Sequence, residues 1–321
     1  MITVDTKIAH GMLDRLATVL GSTVERGILK IPKDKGKGYL RGFLLSNSLS
    51  MMIRNCELNE DLLTIRTFGK LPSDRIMISF NNIFPSKDDV QEISNIKELP
   101  SVQIGKGQLN FEMFYPSFTK FRSIRLNIAV ENLKELVGEQ KDHSILSEIL
   151  DSNQPLLFEE FVSPQIQKVA MEIIENNIPE SLHLFYFRLK AEELICLLFA
   201  ELYKRKTTSL HALNEIDVQM IYRIRDKMFL HLDTPPVLAE IAESARMSVS
   251  KFQRLFKQIF GISIFNYYQN FRMQEAARLL KEKKLTVSEV GYQMGFTNLS
   301  HFSKVFEEHN GVKPKKYSLS K

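Results

Sequence analysis

The strongest constraint on the fold of this chain is a pattern that occurs twice near its C-terminus. The two stretches are LAEIAESARMSVSKFQRLFKQIFGISIFNYY at 238–268 and VSEVGYQMGFTNLSHFSKVFEEHNGVKPKKY at 287–317. They align at an offset of 49 in their first part and 50 in their second part, so that Phe252 matches Phe302 and Gly261 matches Gly311. One residue is therefore inserted between the two parts of the second copy.

Each copy predicts a short helix, a turn and a second helix that ends at a glycine, which can adopt the left-handed conformation of a helix C-terminus. This order is typical of a helix-turn-helix, in which the second helix is polar on one face and enters a major groove. Thr286-Val-Ser-Glu289 predicts a capping box at the start of the second copy. Asp233-Thr234-Pro235 predicts a cap and a proline start for the first copy.

A long helix is predicted between the two copies, because apolar residues recur there at helical spacing. These residues are Phe265, Tyr268, Phe271, Ala276, Leu279 and Leu280. A rigid helix would hold two recognition helices at a fixed separation, and B-DNA presents its major groove on one face about every 10–10.5 base pairs. The pattern therefore predicts a protein that binds successive major grooves of a directional, non-palindromic target.

Charge supports this interpretation. Residues 215–321 hold 17 Lys and Arg against 11 Asp and Glu, whereas residues 1–214 hold 26 against 27. A basic module attached to a near-neutral one is typical of a protein that binds a polyanion such as double-stranded DNA. We expect residues 215–321 to form this module and the polar segment 207–214 to be a linker.

These residues closely resemble the DNA-binding domain of AraC/XylS-type transcription regulators, over about a third of the chain. The resemblance is carried by Gly295-Phe296, Ser300, Phe302, Phe306, Gly311, Pro314 and Tyr317. Two positions depart from the family: Gly291 stands where alanine is usual, and Ser318 where a basic residue often follows the tyrosine. The Pro235-Pro236 pair and FGISIFNYY are most similar to the branch with siderophore-responsive regulators.

The resemblance and the polar helix faces together predict the DNA contacts. Arg254 can bond guanine O6 and N7, and Gln253 can bond adenine N6 and N7. Lys304 stands where the first copy has Arg254, and a lysine makes a less exacting contact. The predicted base contacts are Val249, Ser250, Gln253, Arg254, Asn298, Leu299, Ser300, Ser303 and Lys304. The predicted phosphate contacts are Lys251, Lys257, His301, Lys313, Lys315 and Lys316.

The first 206 residues are expected to form an effector-sensing or dimerisation domain, with strands to about residue 150 and helices after it. In 123–130, Ile124, Leu126, Ile128 and Val130 alternate with other residues, as in a strand with one apolar face. Ser163-Pro164 predicts the start of one helix. The fold class is thus α+β, with an N-terminal β-rich domain, cupin-like barrel plus helices, and an all-α C-terminal domain.

A second helix is predicted from Pro179 to Arg205. Its broad apolar stripe, which includes Leu194 and Leu198, packs either on the strand domain or on a second copy in a homodimer. The aromatic segment 105–121 is either strand core or the lining of a pocket for a small-molecule effector. The candidate pocket residues are Phe111, Met113, Phe114 and Tyr115. A siderophore-like compound is the candidate effector, and RNA polymerase is a candidate partner.

Other classes of function find little support in the sequence. No His-x-x-x-His or Cys-x-x-Cys pair occurs, so a zinc site is not expected, and no motif for a nucleophile or a dinucleotide is found. We therefore expect neither an enzyme nor a cofactor. The two cysteines, Cys56 and Cys196, are expected to be buried thiols in a reducing cytoplasm. No secretory signal or membrane span is expected.

A DNA-binding transcription regulator that responds to a small molecule is the main prediction. The alternative is a protein-interaction module whose helical C-terminus does not bind DNA, and titration with random DNA at several salt concentrations would separate the two.

Overall fold

The computed structural model describes residues 2–5, 12–67, 74–84, 100–106, 110–138, 144–152, 154–205, 213–228, 232–282 and 285–319. Its described residues divide into two compact units, an N-terminal unit up to Val218 and a C-terminal unit from Gln219 onward. The 207–212 part of the predicted linker lies outside the described residues.

The N-terminal unit is built on strands. They are β1 (Ile2–Asp5), β2 (Val24–Glu25), β3 (Ile28–Lys30), β4 (Gly36–Leu44), β5 (Leu49–Leu58), β6 (Leu62–Thr67), β7 (Arg75–Asn81), β8 (Ser101–Lys106), β9 (Asn110–Tyr115), β10 (Lys120–Ala129) and β11 (Leu156–Phe161). Its helices are α1 (Met12–Leu20), α2 (Val130–Val137), α3 (Ser144–Asp151), α4 (Pro164–Ile174) and α5 (His183–Tyr203). A 3-10 turn, Glu180–Leu182, leads into α5.

Eight strands form an antiparallel sheet in the order β11-β8-β7-β10-β5-β4-β3-β2. A smaller sheet has the order β1-β6-β9, with β1 parallel to β6. Within the described residues the edge strands β11 and β2 do not pair with each other, so a closed cupin-like barrel is not confirmed. The strand-rich character of this unit is confirmed.

The alternation predicted for 123–130 is confirmed up to the end of β10. Ile124, Leu126 and Ile128 are fully buried and share one core with the inward faces of α4 and α5. Ser163 caps α4 through its hydroxyl, which accepts a hydrogen bond from the Ile166 amide at 3.4 Å. The sheet therefore has α4 and α5 packed on one of its faces.

Several predicted boundaries in this unit are wrong. Val130 begins α2 rather than ending the strand, and α3 also lies before residue 153. Strand β11 lies after it, where only helices were expected. The short segment LLFEEF at 156–161 is compatible with either a strand or a helix. Its pairing with β8 makes it a strand.

The sequence allowed the apolar stripe of α5 to pack either within its own unit or on a second copy. Leu194 and Leu198 are fully buried in the core of their own unit, so the intramolecular alternative holds for them. Leu184, near the start of the same helix, is 56% exposed. Cys196 is also exposed, contrary to expectation, whereas Cys56 is buried and its burial raises the pKa of the thiol to about 11.

The C-terminal unit is helical. Its helices are α6 (Glu215–Met228, which spans the division between units), α7 (Leu238–Ser244), α8 (Val249–Phe260), α9 (Ile264–Glu282), α10 (Val287–Gln293), α11 (Leu299–Asn310) and α12 (Pro314–Leu319). The long predicted helix between the copies is confirmed as α9. Of the apolar residues that predicted it, Phe265 on the first turn is 59% exposed, and the others are buried.

Candidate nucleic-acid interface

The first helix-turn-helix consists of α7 and α8. Arg246 lies in the turn with φ +53, a left-handed conformation that few residues other than glycine adopt. Ser248 then caps α8, because its hydroxyl accepts a hydrogen bond from the Lys251 amide at 3.3 Å. Gly261 ends α8 at φ +76, as predicted. The cap predicted at Asp233-Thr234-Pro235 is wrong: α7 begins at Leu238, after Val237, and has no side-chain cap.

The second helix-turn-helix consists of α10 and α11. The predicted capping box is confirmed, since Thr286 and Glu289 bond reciprocally to each other's backbone amides. Gly295 stands at the turn position that Arg246 holds in the first copy, with φ +72. The Oδ1 atom of Asn298 caps α11 by accepting bonds from the Ser300 and His301 amides at 2.9 and 3.1 Å.

The inward face of α8 is aromatic and buried. As the spacing predicts, the buried residues include Phe252, Leu255, Phe256 and Ile259. The Phe256 ring lies 4.5 Å from that of Phe260 and 5.4 Å from that of Tyr267, measured between centroids. This packing fixes the rotation of α8 about its axis and so determines which side chains face outward.

The outward face of α8 carries the predicted base-contacting side chains. Gln253, Arg254 and Lys257 are all exposed. Among the described residues, neither Arg254 nor Lys257 has an ion pair or side-chain hydrogen bond with another part of the protein. Val249 and Ser250 at the first turn are also exposed, and Lys251 is half-buried. The structure therefore brings these residues together on one accessible surface.

On α11 the predicted DNA contacts differ in how exposed they are. Phe302 and Phe306 are buried inside, while Ser300, His301 and Lys304 are exposed outside. Leu299 is half-buried, and a Cβ placed on Gly291 would lie 2.7 Å from its Cδ2 atom. Ser303 is half-buried, and the Oδ1 atom of Asn298 is occupied by the cap. Ser300, His301 and Lys304 thus form the most accessible part of this helix.

The basic residues after α11 lie on or next to α12, outside the two recognition helices. Lys313 precedes α12, and Lys315 and Lys316 lie on it, all three exposed. Tyr317 packs edge-on against Phe306 with ring centroids 5.4 Å apart, and partial burial raises the pKa of its hydroxyl. α12 is thereby attached to the back of α11, and its lysines extend the basic surface beyond the recognition helix.

Sequence reasoning missed a cluster behind the recognition helices. It comprises Asp233, Tyr268, Arg272, Met294 and Gly295, which come from three separate segments. Arg272 is only 5% exposed, and its guanidinium bonds the carbonyl oxygen of Met294. Burial lowers the pKa of Arg272 and raises that of Tyr268. An arginine within an apolar helix pattern was the only available signal.

Of the four candidate effector residues, only Tyr115 has a side chain among the described residues. The side chains of Phe111, Met113 and Phe114 lie outside the described residues, although their backbone forms β9. Tyr115 is buried and packs edge-on against Phe121 at 4.9 Å. The described part of the chain has no cluster of three or more potential metal ligands and no helix long and apolar enough to cross a membrane.

Comparison with known proteins places the C-terminal region in a defined class. Residues 241–319 match the model of a helix-turn-helix domain. An uncharacterised HTH-type transcriptional regulator of Haemophilus influenzae is 34% identical over 83 residues, which are 26% of this chain and 28% of the relative. The regulator GbdR of Pseudomonas aeruginosa is 33% identical over 88 residues, 27% of this chain and 24% of the relative.

A third relative is the arabinose operon regulatory protein of Escherichia coli, 30% identical over 80 residues, 25% of this chain and 27% of the relative. The matched region is thus similar to the AraC-type helix-turn-helix domain of known transcription regulators. These matches span about a quarter of each relative's length. They do not confirm the siderophore-responsive branch.

Proposed function

We propose that this chain is a sequence-specific DNA-binding transcription regulator, with residues 215–321 as its DNA-binding domain and residues 1–206 as its regulatory domain. The observation that carries the proposal is the pair of recognition helices. Each buries an aromatic face in the C-terminal unit, and each presents exposed polar and basic side chains on the opposite face. The similarity of residues 241–319 to helix-turn-helix regulators supports the same conclusion.

In this mechanism α8 and α11 enter successive major grooves on one face of the duplex, and α9 holds them together. Arg254 bonds the O6 and N7 atoms of guanine through its planar fork, and Gln253 bonds adenine. Lys304 contacts the second half-site as a point charge. Because one chain supplies both helices in a fixed order, the target of each protomer is directional rather than palindromic.

Residues around these side chains position the domain without selecting a sequence. Lys257, Lys313, Lys315 and Lys316 are exposed beside or beyond the recognition helices and contact phosphate groups. We assign Lys251 and His301 to phosphate contacts as well. The residues assigned to base edges are Val249, Ser250, Asn298, Leu299, Ser300 and Ser303.

Replacing one residue of each kind tests this assignment. Arg254→Ala should weaken binding to the preferred site by about 1–3 kcal/mol and relax the preference at one base pair. Lys316→Ala should weaken binding to all sequences alike and reduce the slope of log affinity against log salt by about one. Selection from randomised duplexes, with thermal melts as a folding control, measures both effects. Unchanged base preference in Arg254→Ala would contradict the assignment.

The competing function, a protein-interaction module, predicts a different result from the wild-type chain. Duplex DNA should bind to a regulator with an affinity that falls steeply as salt rises, because phosphate contacts release counterions. A folded chain without salt-dependent binding would favour the interaction module and would remove the proposed function.

For the N-terminal unit we propose control by a small-molecule effector, held in a cupin-like fold near Tyr115 and its neighbours in β9. A siderophore-like compound is the candidate implied by the family resemblance, and RNA polymerase is the candidate partner of the DNA-bound form. Native mass spectrometry of the freshly purified chain tests the first point. A bound small molecule that dissociates on unfolding supports it, and a bare chain that no tested siderophore stabilises against heat contradicts it.

We also propose that the chain forms a homodimer, through the outward face of α5. Phe185 is 64% exposed, and Leu189, Cys196 and Tyr203 continue the exposed row along the same face. Apolar rows of this size are more common at interfaces than on free surfaces. Leu189→Glu should shift a dimer to a monomer in analytical ultracentrifugation, while Leu136→Glu on α2, also an exposed leucine, should not. A monomeric wild type at micromolar concentration would contradict the proposal.

A further inference from the structure

A buried arginine joins the long helix α9 to the turn of the second helix-turn-helix. The Nη2 atom of Arg272 donates a hydrogen bond to the carbonyl oxygen of Met294, the C-cap residue of α10. The same guanidinium lies 4.3 Å from the centroid of the Phe296 ring, on the other side of the turn. Arg272 therefore holds both a backbone atom and a side chain of the segment from which α11 starts.

The same cluster reaches the segment that leads into the first helix-turn-helix. Tyr268 lies one helical turn before Arg272, is fully buried, and its ring centroid is 5.3 Å from the guanidinium carbon. Its hydroxyl donates a hydrogen bond to the carbonyl oxygen of Thr234 at 2.9 Å. Thr234 belongs to the chain just before α7. Tyr268 and Arg272 thus connect the start of the first copy to the turn of the second.

The backbone completes the connection. A Cβ atom on Gly295 would lie 1.9 Å from the carbonyl oxygen of Asp233 and 2.6 Å from its carbonyl carbon. Only a residue without a side chain allows this approach. The sequence pattern assigned Asp233 and Thr234 to the cap of α7. Asp233 instead packs on the turn of the second copy, and Thr234 accepts the hydrogen bond from Tyr268.

We infer that Arg272 is a positioning residue that fixes the second helix-turn-helix against the first, so that the two recognition helices accept one spacing of half-sites. The inference rests on the proposed function and adds a source of specificity to it. Arg272 is buried behind the recognition helices. It therefore acts on DNA only through the turn that it holds. The planar fork matters because it bonds the Met294 carbonyl and stacks on Phe296 at once.

The opposing account is that Arg272 only stabilises the fold. Stability and spacing preference separate the two, because a purely structural role lowers the first and leaves the second unchanged. The measurement uses the full-length chain and the duplex site that wild type selects from a random pool. Affinity is then measured on derivatives in which the spacer between the two half-sites is lengthened or shortened one base pair at a time.

Arg272→Met keeps apolar volume and removes the fork, and Arg272→Lys keeps the charge. Both variants should bind the original site roughly tenfold more weakly and should lose most of the preference for the original spacer. Their affinity for a single half-site should match that of wild type. Tyr268→Phe, which removes the hydroxyl that bonds Thr234, should broaden the spacing preference less.

Arg278→Met is the matched control, since Arg278 lies on the same helix and pairs with Glu275 one turn away. It should retain the wild-type spacing preference. A folded Arg272→Met with the wild-type spacing preference would overturn the inference, and if that variant does not fold, the same criterion applied to Arg272→Lys decides. A wild type that selects no site at all would instead contradict the proposed function.

Discussion

The two helix-turn-helix copies share a sequence pattern but are stabilised differently. In the second copy Gly295 occupies the left-handed turn without steric cost, and the main chain of Asp233 packs directly on it. In the first copy the same position is Arg246, a non-glycine residue at φ +53 and exposed to solvent. The bracing helix α10 has a capping box, whereas α7 has no side-chain cap.

This difference indicates that the copies are not interchangeable parts. The second copy is fastened to the rest of the C-terminal unit at its turn, through Gly295 and Arg272. The first copy carries local strain at its turn, of the order of 1 kcal/mol for a left-handed residue other than glycine. The second copy is therefore held more firmly at its turn than the first, and substitutions at matched positions can test this contrast.

The largest effect is expected from Gly295→Ala. The new Cβ would collide with the Asp233 carbonyl while the backbone stays left-handed, so the free energy of unfolding should fall by more than about 2 kcal/mol. Gly311→Ala is the control, because Gly311 has φ +74 but no heavy atom within 4 Å of its virtual Cβ, and should cost only about 1 kcal/mol. Urea unfolding measures both. Equal losses would show that the Asp233 contact is unimportant.

A smaller effect is expected from the cap of α10. Thr286→Ala should lower the free energy of unfolding by about 1 kcal/mol. The Glu289 carboxylate accepts bonds from the Thr286 amide and hydroxyl, and these bonds lower the pKa of that carboxyl. This stabilisation is therefore present above the carboxyl's unfolded pKa and lost as pH falls through its lowered folded value.

The first copy supplies the control for that pH dependence. Ser248→Ala also removes a cap, but Lys251 stands where a capping box needs an acid. The cost of Thr286→Ala should shrink on acidification from neutral pH to about pH 3, and the cost of Ser248→Ala should not. Urea unfolding across this range measures both costs, and parallel pH profiles would argue against the box as the source.

A gain in stability is expected at the strained turn of the first copy. Arg246→Gly relieves the left-handed conformation and should raise the free energy of unfolding by about 0.5–1 kcal/mol. Thermal melts at constant salt measure the change, and Lys257→Gly on the exposed face of α8 controls for the flexibility of glycine, with a loss of about 1 kcal/mol. A loss at Arg246→Gly would mean that the arginine side chain contributes more than its backbone costs.

The smallest change is expected at Gly291, whose partner in the first copy is Ala242. Ala242→Gly should cost about 1 kcal/mol through helix propensity. Gly291→Ala should change stability by less than about 0.5 kcal/mol, because the same propensity gain is offset by contact with Leu299 at 2.7 Å and Phe302 at 3.2 Å. Thermal melts measure both changes, and a full gain of 1 kcal/mol in Gly291→Ala would show that Leu299 moves aside freely.

The sequence predicted the C-terminal unit much better than the N-terminal unit, for physical reasons. Caps, left-handed glycines and aromatic positions at helical spacing are local features, and Thr286, Gly311 and Phe256 take the positions they predict. The failures depend on contacts between distant segments. Asp233 packs on Gly295, 62 positions later, and β11 pairs with β8 although β9, β10, α2 and α3 lie between them in the sequence.

The same distinction applies to the candidate site. The inward residues of α8 and α11 were predicted by periodicity, which also determines the outward ones. The role of Arg272 was not predicted, because a single arginine in a helix pattern gives no indication of which carbonyl it will bond. The exposed side of α5 was not predicted, because α5 is apolar on most sides and periodicity does not identify the face that packs on the sheet.

We propose that the two unequal copies bind DNA as one unit, a claim that hydroxyl-radical footprinting of the full-length chain on its selected site can test. We predict two protected patches on one face of the duplex, centred about 10–10.5 base pairs apart, with Arg254→Ala weakening one patch and Lys304→Ala the other. A single patch that only one of these variants weakens, or no protection at a concentration that saturates binding, would contradict the claim.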